Sequence, residues 1–279
     1  MLGKKVTRDL ILQEFEVFSL TRTPCPQKGV HNLVVDLSST WESSKLPTQI
    51  DAVIHLAQSN RYKQFPSHAS DIFEVNVSSS SRLLEYARNA NAQIFIFTST
   101  GGVYGTSDKP FHESQASQST LPNNFYVSTK WCTETLIHNY SDFFQTVIFR
   151  PFFIYGKGQN RSMLLPRLCD SIKKNLPVKL AGRSGIKINP IHVTDASNAI
   201  VSVLRSENLH STYNLAGHKI ISLRQICELF GSFLDTSPKY ELLQRKLNQD
   251  IIGNISLLSQ NLFSPSVNIE DALVEFCDD

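Results

Sequence analysis

Nowhere do these 279 residues run apolar for the roughly 18 positions that a membrane-crossing helix needs. Clustered positive charge is also missing. Lys and Arg number 27 against 25 Asp and Glu, a formal charge of +2. The longest basic runs are the pairs Lys4-Lys5 and Lys173-Lys174, so nothing resembles the basic face of a nucleic-acid-binding protein. Cysteine is scarce and scattered, at positions 25, 132, 169, 227 and 277. No two fall at zinc or redox spacing, and the odd count suits free thiols in a reducing compartment, so a cytoplasmic location is expected. The eight histidines show no ligand spacing, and no metal site is expected. The first sixteen residues mix Lys4, Lys5, Arg8, Asp9, Glu14 and Glu16 with apolar residues, unlike a signal-peptide core. No internal repeat is present.

What remains is an ordinary globular composition, 41% hydrophobic and 19% charged, enough for one large domain or two smaller ones. Its pattern is alternation. Residues 2–13 fit an amphipathic helix. Short β-rich runs follow at 16–21, 32–37 and 51–57. Residues 67–90 carry a helical apolar stripe, and "QIFIFTS" (93–99) is apolar on both faces. A glycine-rich turn and a polar loop (106–123) lead to a helix over 124–140 and a strand at 146–150. Short, continuously apolar strands between helices predict a parallel sheet covered on both sides. The fold class is therefore α/β and doubly wound, with ligands at the carboxyl ends of the strands. Residues 151–190 are richer in Pro, Gly and basic side chains and predict an excursion into a smaller lobe. The domain expectation is 1–155 for the dinucleotide-binding part, with a return at about 187–217. Residues 156–279 then form mainly the second lobe.

The most informative stretch is "FYVSTKW" (125–131). Tyr126 and Lys130 stand four apart, so on a helix they share a face. A neighbouring ammonium stabilises a phenolate and lowers its pKa from about 10 towards neutrality. Alone the pair is weak, because tyrosines and lysines also fall at this spacing by chance. Upstream, "FTSTGGVYG" (97–105) ends the most apolar strand at Ser99 and puts the Thr100 hydroxyl at its carboxyl edge.

Thr100, "VYG" (103–105) and the Tyr126/Lys130 pair together resemble the extended short-chain dehydrogenase/reductase family, in its NAD-dependent epimerase/dehydratase group. Further matches follow in chain order: "DLS" (36–38), "DAVIHLAQ" (51–58), "NVSSSSRLLEYA" (76–87), "FRPFFIYGKG" (149–158), "NPIHVTDASNAI" (189–200) and "YNLAG" (213–217). The resemblance implies a Rossmann-like fold and NAD or NADP as cofactor. It implies Thr100, Tyr126 and Lys130 as catalytic residues. Cofactor contacts are implied at Gly3, Arg22, Asp36, Leu37, Leu56, Ala57, Gln58, Asn76 and Ser99, with Tyr126 and Lys130. It also implies that a strand and a Gly-x-x-Gly-x-x-Gly turn stand ahead of the first helix, with Gly3 as the third glycine. That strand and two glycines are not in this sequence. Either the sequence is clipped or the protein lacks its phosphate cradle, and the intact remainder favours clipping.

Two departures from the family pattern bear on the reaction. Dehydratases of the family place Asp-Glu directly after the catalytic Thr, whereas this sequence has Gly101-Gly102, which disfavours dehydration. Phe153 stands where many members carry an Asn for the substrate diphosphate. Expected substrate contacts are Gly101, Gly102, Phe153, Lys157, Arg161 and Lys187, with Arg205 a further candidate. Thr21 ends the second expected strand where an acidic residue would grip a ribose 2′-hydroxyl, and the following Arg22 suits a 2′-phosphate. Three readings stay open: a nucleotide-sugar epimerase, an NADP-dependent carbonyl reductase, and a non-catalytic scaffold. Asp195 is expected to cap the helix of the return segment and His192 to be structural. A homodimer through the Tyr126 helix is possible, with Trp131 and Leu136 at its face or in the core.

Overall fold

The computed structural model describes residues 1–118, 124–244 and 250–277. The last five residues of the polar loop at 106–123 thus lie outside the described residues. Helix α1 (Leu2–Leu12) opens the chain and buries Val6 and Leu10. Strands β1 (Val17–Thr21) and β2 (Val30–Val34) follow, then β3 (Ala52–His55). The expected strand at 32–37 therefore sits two residues earlier, because Asp36 leaves the ladder to hold the turn at Ser38. The helical stripe resolves into α2 (Ala69–Phe73), a π turn over Glu74–Ser78 and α3 (Ser79–Asn89). Strand β4 (Ile94–Thr98) is buried throughout, as its two-faced apolar run predicts. Helix α4 (Phe125–His138) and strand β5 (Gln145–Pro151) complete the first half.

The second half is built of shorter pieces: β6 (Ile154–Tyr155), α5 (Leu164–Lys173), β7 (Val178–Ala181), β8 (Lys187–Ile188) and β9 (Ile191–His192). Helix α6 (Val193–Ser202) and β10 (Thr212–Leu215) return to the first half. The chain ends with β11 (Ile221–Ser222), α7 (Leu223–Phe233), β12 (Tyr240–Leu243), α8 (Ser256–Asn261) and α9 (Ile269–Ala272).

The main sheet is parallel, in the order β10-β5-β4-β3. Strands β1 and β2 form their own parallel pair, and no ladder joins β1 to β3 among the described residues. The expected doubly wound parallel arrangement is present, with a gap between β1 and β3 where the resemblance puts the strand that this sequence does not contain. One apolar cluster packs α1, α6 and α8 on the main sheet through Val6, Leu10, Ile96, Phe149, Ile200 and Leu258. On the other face α3 and α4 supply Leu83, Leu84 and Ile137 against Phe95, Phe97 and Ile148. A separate cluster draws on α5, α7 and the C-terminal turn through Leu168, Ile226, Phe230 and Phe276.

Helix α6 starts at Val193, and its cap is not the expected Asp195. The His192 ring accepts from the Thr194 N–H at 3.3 Å. Asp195 is buried, and its carboxylate accepts the main-chain N–H groups of Ser266 and Val267 at 2.9 and 2.8 Å. The carboxylate is committed to a distant loop, which a local helix-start pattern does not reveal.

Candidate active site

The carboxyl ends of β3, β4 and β5 converge with the start of α4. Asn124 caps α4, its side-chain oxygen accepting from the Tyr126 N–H at 2.9 Å. This fixes the first turn, so Tyr126 faces the sheet edge where Thr100 follows β4. The Tyr126 hydroxyl donates to Gln58 Oε1 at 2.9 Å, and its ring lies 5.1 Å from that of Tyr62. Burial and the neighbouring Tyr62 push the phenol above its ordinary range, while a hydrogen bond with the Thr100 hydroxyl pulls the other way.

Lys130 is the surprise of the site. Its ammonium is almost wholly buried, donates to the Thr98 carbonyl at 2.8 Å and lies 4.7 Å from the centre of the Phe97 ring. Burial lowers its pKa to about 7, with Glu134 opposing the shift. The expected phenol-lowering effect of Lys130 is therefore absent from this arrangement. The ammonium points to a strand carbonyl, and desolvation dominates both groups.

Asn76 sits in the π turn, a distortion common at functional sites. Its side-chain oxygen accepts from the Ser59 N–H at 2.9 Å and its amide donates to Thr129 Oγ1 at 2.9 Å. Its carbonyl accepts from Thr133 Oγ1 at 2.7 Å. One residue thus ties the segment after β3 to the helix bearing Tyr126. Ser99, at the end of β4, is buried with a hydroxyl that finds no partner among the described residues.

Beneath this edge lies a buried network that sequence reasoning assigned no role. Arg150 pairs with Glu134 at 2.6 Å and donates to the Tyr104 hydroxyl at 2.8 Å, which in turn donates to Asn214 at 2.7 Å. Burial pushes the Tyr104 phenol up to about 12, so it keeps its proton. Glu134 lies four residues past Lys130 on the same helical face. That spacing was the available signal.

The remaining expected contacts divide. Gly3, Leu37, Leu56 and Ala57 line one cavity together with Thr21. Arg22 and Asp36 are exposed at its margin, where two Ser38 hydrogen bonds and, to a lesser extent, the Arg22 charge lower the Asp36 carboxyl. A Cβ on Gly101 would stand 2.8 Å from the Phe152 ring, and one on Gly102 3.1 Å from Val127. The space a longer side chain would need at 101 is filled.

The basic candidates for a diphosphate have different partners within the chain. Arg161 is paired with Asp170, and Arg205 lies over the Phe15 ring. The Lys157 main chain is held by Glu275 and that of Lys187 by Asp250. Phe153 has a φ of +54° and packs between two apolar clusters. Trp131 and Leu136 both pack against the chain's own core.

The model of the NAD dependent epimerase/dehydratase family matches residues 1–216. The chain belongs to that family. Among relatives, dTDP-D-glucose 4,6-dehydratase of Homo sapiens is 30% identical over 199 residues, 70% of this chain and 56% of its own length. The Bacillus subtilis protein described as the uncharacterized UDP-glucose epimerase YtcB is 27% identical over 255 residues, covering 86% of this chain and 76% of its own. The chain spans little more than half the length of the mammalian dehydratases it matches, 55% and 56%. Among solved structures, UDP-glucuronic acid 4-epimerase from Bacillus cereus, as a Y149F mutant complexed with a fluorinated UDP-sugar and NAD, superposes with a TM-score of 0.86. Identity is 22%, over 100% of this chain and 95% of that one. UDP-glucose 4-epimerase from Thermus thermophilus in complex with NAD gives 0.80 at 20% identity, over 100% of this chain and 95% of that one. The family fold thus extends across both halves of the chain.

Proposed function

We propose that this family member is a nucleotide-sugar epimerase acting by transient oxidation of a sugar hydroxyl. The observation that carries the reading is the meeting of Tyr126, Thr100 and Gln58 at the carboxyl edge of a parallel sheet. Its relatives include UDP-sugar epimerases, and the space at Gly101 opposes the acidic residue expected of a dehydratase.

The residues present suit a nicotinamide dinucleotide. The first turn of α1 has no side-chain cap, and a Cβ on Gly3 would meet nothing within 4 Å, leaving room for a pyrophosphate on its N–H groups. The Ser99 hydroxyl, without a partner among the described residues, and the Leu56–Gln58 segment follow the carboxyl ends of β4 and β3, beside Tyr126. Bound there, the nicotinamide would accept and return the hydride.

The chain's own residues manage the proton and the developing charge. Thr100 donates a hydrogen bond to the sugar oxygen and steadies it as negative charge builds. Tyr126 receives the hydroxyl proton and later returns it to the ketone oxygen. With its pKa raised, Tyr126 rests as the proton donor, and its action as base needs a cation nearby. Lys130, one helical turn away, is the candidate for that charge, which requires its ammonium to leave the Thr98 carbonyl. Tyr126→Phe should lower kcat for epimer interconversion by about 10²–10⁴-fold, read by NMR of the sugar epimers, with folding unchanged. Full turnover in that variant would refute the assignment.

Arg22, exposed at the end of β1, favours a second reading, an NADP-dependent carbonyl reductase. Thermal-shift titrations with NAD⁺ and NADP⁺ separate the two. The epimerase reading expects NAD⁺ to stabilise more, and net consumption of reduced nicotinamide on adding a carbonyl substrate would support the reductase.

A further inference from the structure

Two of the five cysteines, far apart in the sequence, meet in the second half of the fold. Cys169 lies on the inner face of α5 with Leu165, Leu168 and Ile172, and is fully buried. Cys277 follows the short turn Leu273–Phe276, is half-buried, and packs against the same apolar cluster. Their sulfurs stand 3.8 Å apart, in hydrogen-bond contact. The Cys169 thiol also donates to the Phe276 carbonyl at 3.5 Å.

The approach is fixed by charged neighbours. Arg161 is paired with Asp170, the residue after Cys169, and donates to the Phe276 carbonyl at 3.3 Å. Lys173, one turn further along α5, donates to the Cys277 carbonyl at 3.3 Å. Glu275 accepts from the Lys157 N–H at 2.9 Å and contacts the His192 ring nitrogen at 3.4 Å. The turn thus bridges α5 and the segment that opens α6, and these bonds hold its thiol beside Cys169.

The two sulfurs differ in reactivity. Burial pushes the Cys169 thiol up to about 12, and the neighbouring Cys277 adds to the shift, so Cys169 keeps its proton at neutral pH. Cys277 is the member that a solute in water can reach. Two cations, Arg161 and Lys173, sit on the carbonyls of residues 276 and 277, the kind of electropositive, partly open setting in which a thiolate reacts. A disulfide holds its sulfurs about 2.0 Å apart. The half-exposed Cys277 side chain has room to close the difference.

We propose that Cys169 and Cys277 are a modification site, where hydrogen peroxide joins them in a reversible disulfide that clasps α5 to the turn Leu273–Phe276. The Cys277 thiolate attacks one peroxide oxygen, the O–O bond breaks, and the departing hydroxide takes a proton to become water. Cys277 is then a sulfenic acid. The Cys169 sulfur attacks the Cys277 sulfur, the S–O bond breaks, and the Cys169 proton leaves with the hydroxide as a second water. The two thiols give up two electrons and one peroxide takes them. In a reducing compartment the bond is transient, because small thiols reverse it by exchange. The cysteines stand 108 positions apart, so closing the bond removes freedom chiefly from the unfolded chain. The proposal is independent of the catalytic reading above.

The test uses the full chain, first reduced and then treated with a small molar excess of hydrogen peroxide. Remaining thiols are capped with N-ethylmaleimide, and the chain is digested without reduction for mass spectrometry. The expected product is a cross-linked pair of peptides holding positions 169 and 277, two hydrogens lighter than their sum, which dithiothreitol separates. The oxidised chain should melt about 5 °C above the reduced one. Cys277→Ser, at a half-exposed position, should fold as before and show neither cross-link nor shift under the same treatment. Recovery of both cysteines capped, oxidation of Cys277 to the sulfinic acid beside an intact Cys169, or pairing of either with another cysteine overturns the proposal. So does a cross-link that leaves the melting temperature unchanged or lowers it, or an equal rise in Cys277→Ser.

Discussion

Lys130 shows how burial rearranges a motif. Read along the helix, it is a cation one turn from a phenol. Folded, its Nζ is turned to the Thr98 carbonyl and desolvated, and its pKa falls to about 7. In the unfolded chain the same group titrates near 10.4. Between these values the unfolded state binds more protons, so this group's contribution to stability rises as pH climbs from about 7 towards 10. Lys130→Met removes that dependence. The stability difference, wild type minus variant, should increase over this interval in urea titrations at successive pH values. A flat difference would mean that Lys130 titrates normally. His55 follows the same sign in acid. With its pKa lowered to about 3, it stays neutral while the unfolded chain takes up a proton below about 6.5, so its contribution is lost as pH falls through that window.

Helix α4 carries two functions on one face, at successive four-residue steps. Tyr126 meets the edge residues, Lys130 the strand carbonyl, and Glu134 the guanidinium of Arg150 in β5. The Arg150–Glu134 pair is almost fully buried and shares Tyr104 and Asn214 in its network. Removing one partner from such a pair leaves an uncompensated charge and costs about 3–5 kcal/mol. Glu134→Gln should lower the unfolding free energy by that order, and Tyr126→Phe should lower it by far less. Chemical denaturation of the two variants checks this. The π turn at Glu74–Ser78 is the matching device on the neighbouring element. It places Asn76 to hold both the post-β3 segment and α4, and a helical apolar stripe does not announce it.

At the scale of the molecule, the two sheets differ in support. Strands β4 and β5 are flanked on both sides and buried, whereas β1 and β2 form a two-stranded pair, which is marginal on its own. Amides of 17–21 and 30–34 should therefore exchange faster than those of 94–98 and 145–151, by two or more orders of magnitude, under native conditions. Equal protection would show that the pair is held as firmly as the main sheet. The second half's separate cluster, from Tyr155 to Phe276, sets where the excursion packs, and it draws Arg161 into a pair with Asp170.

Most of the first half was legible because its signals are local. Apolar runs gave β4 and β5, helical spacing put Tyr126 and Lys130 on one face, and the glycines after Thr100 marked the strand edge. Those features depend on the period of the backbone, which the residue order by itself determines. The tertiary structure alone decided where side chains separated by many residues would turn. It committed Asp195 to Ser266 and Val267, gave Arg161 to Asp170, and aimed the Lys130 ammonium at Thr98. Burial and long-range pairing are properties of the packed chain, and the free energy of a buried charge or a bare strand edge is fixed only by the neighbours that folding brings to it.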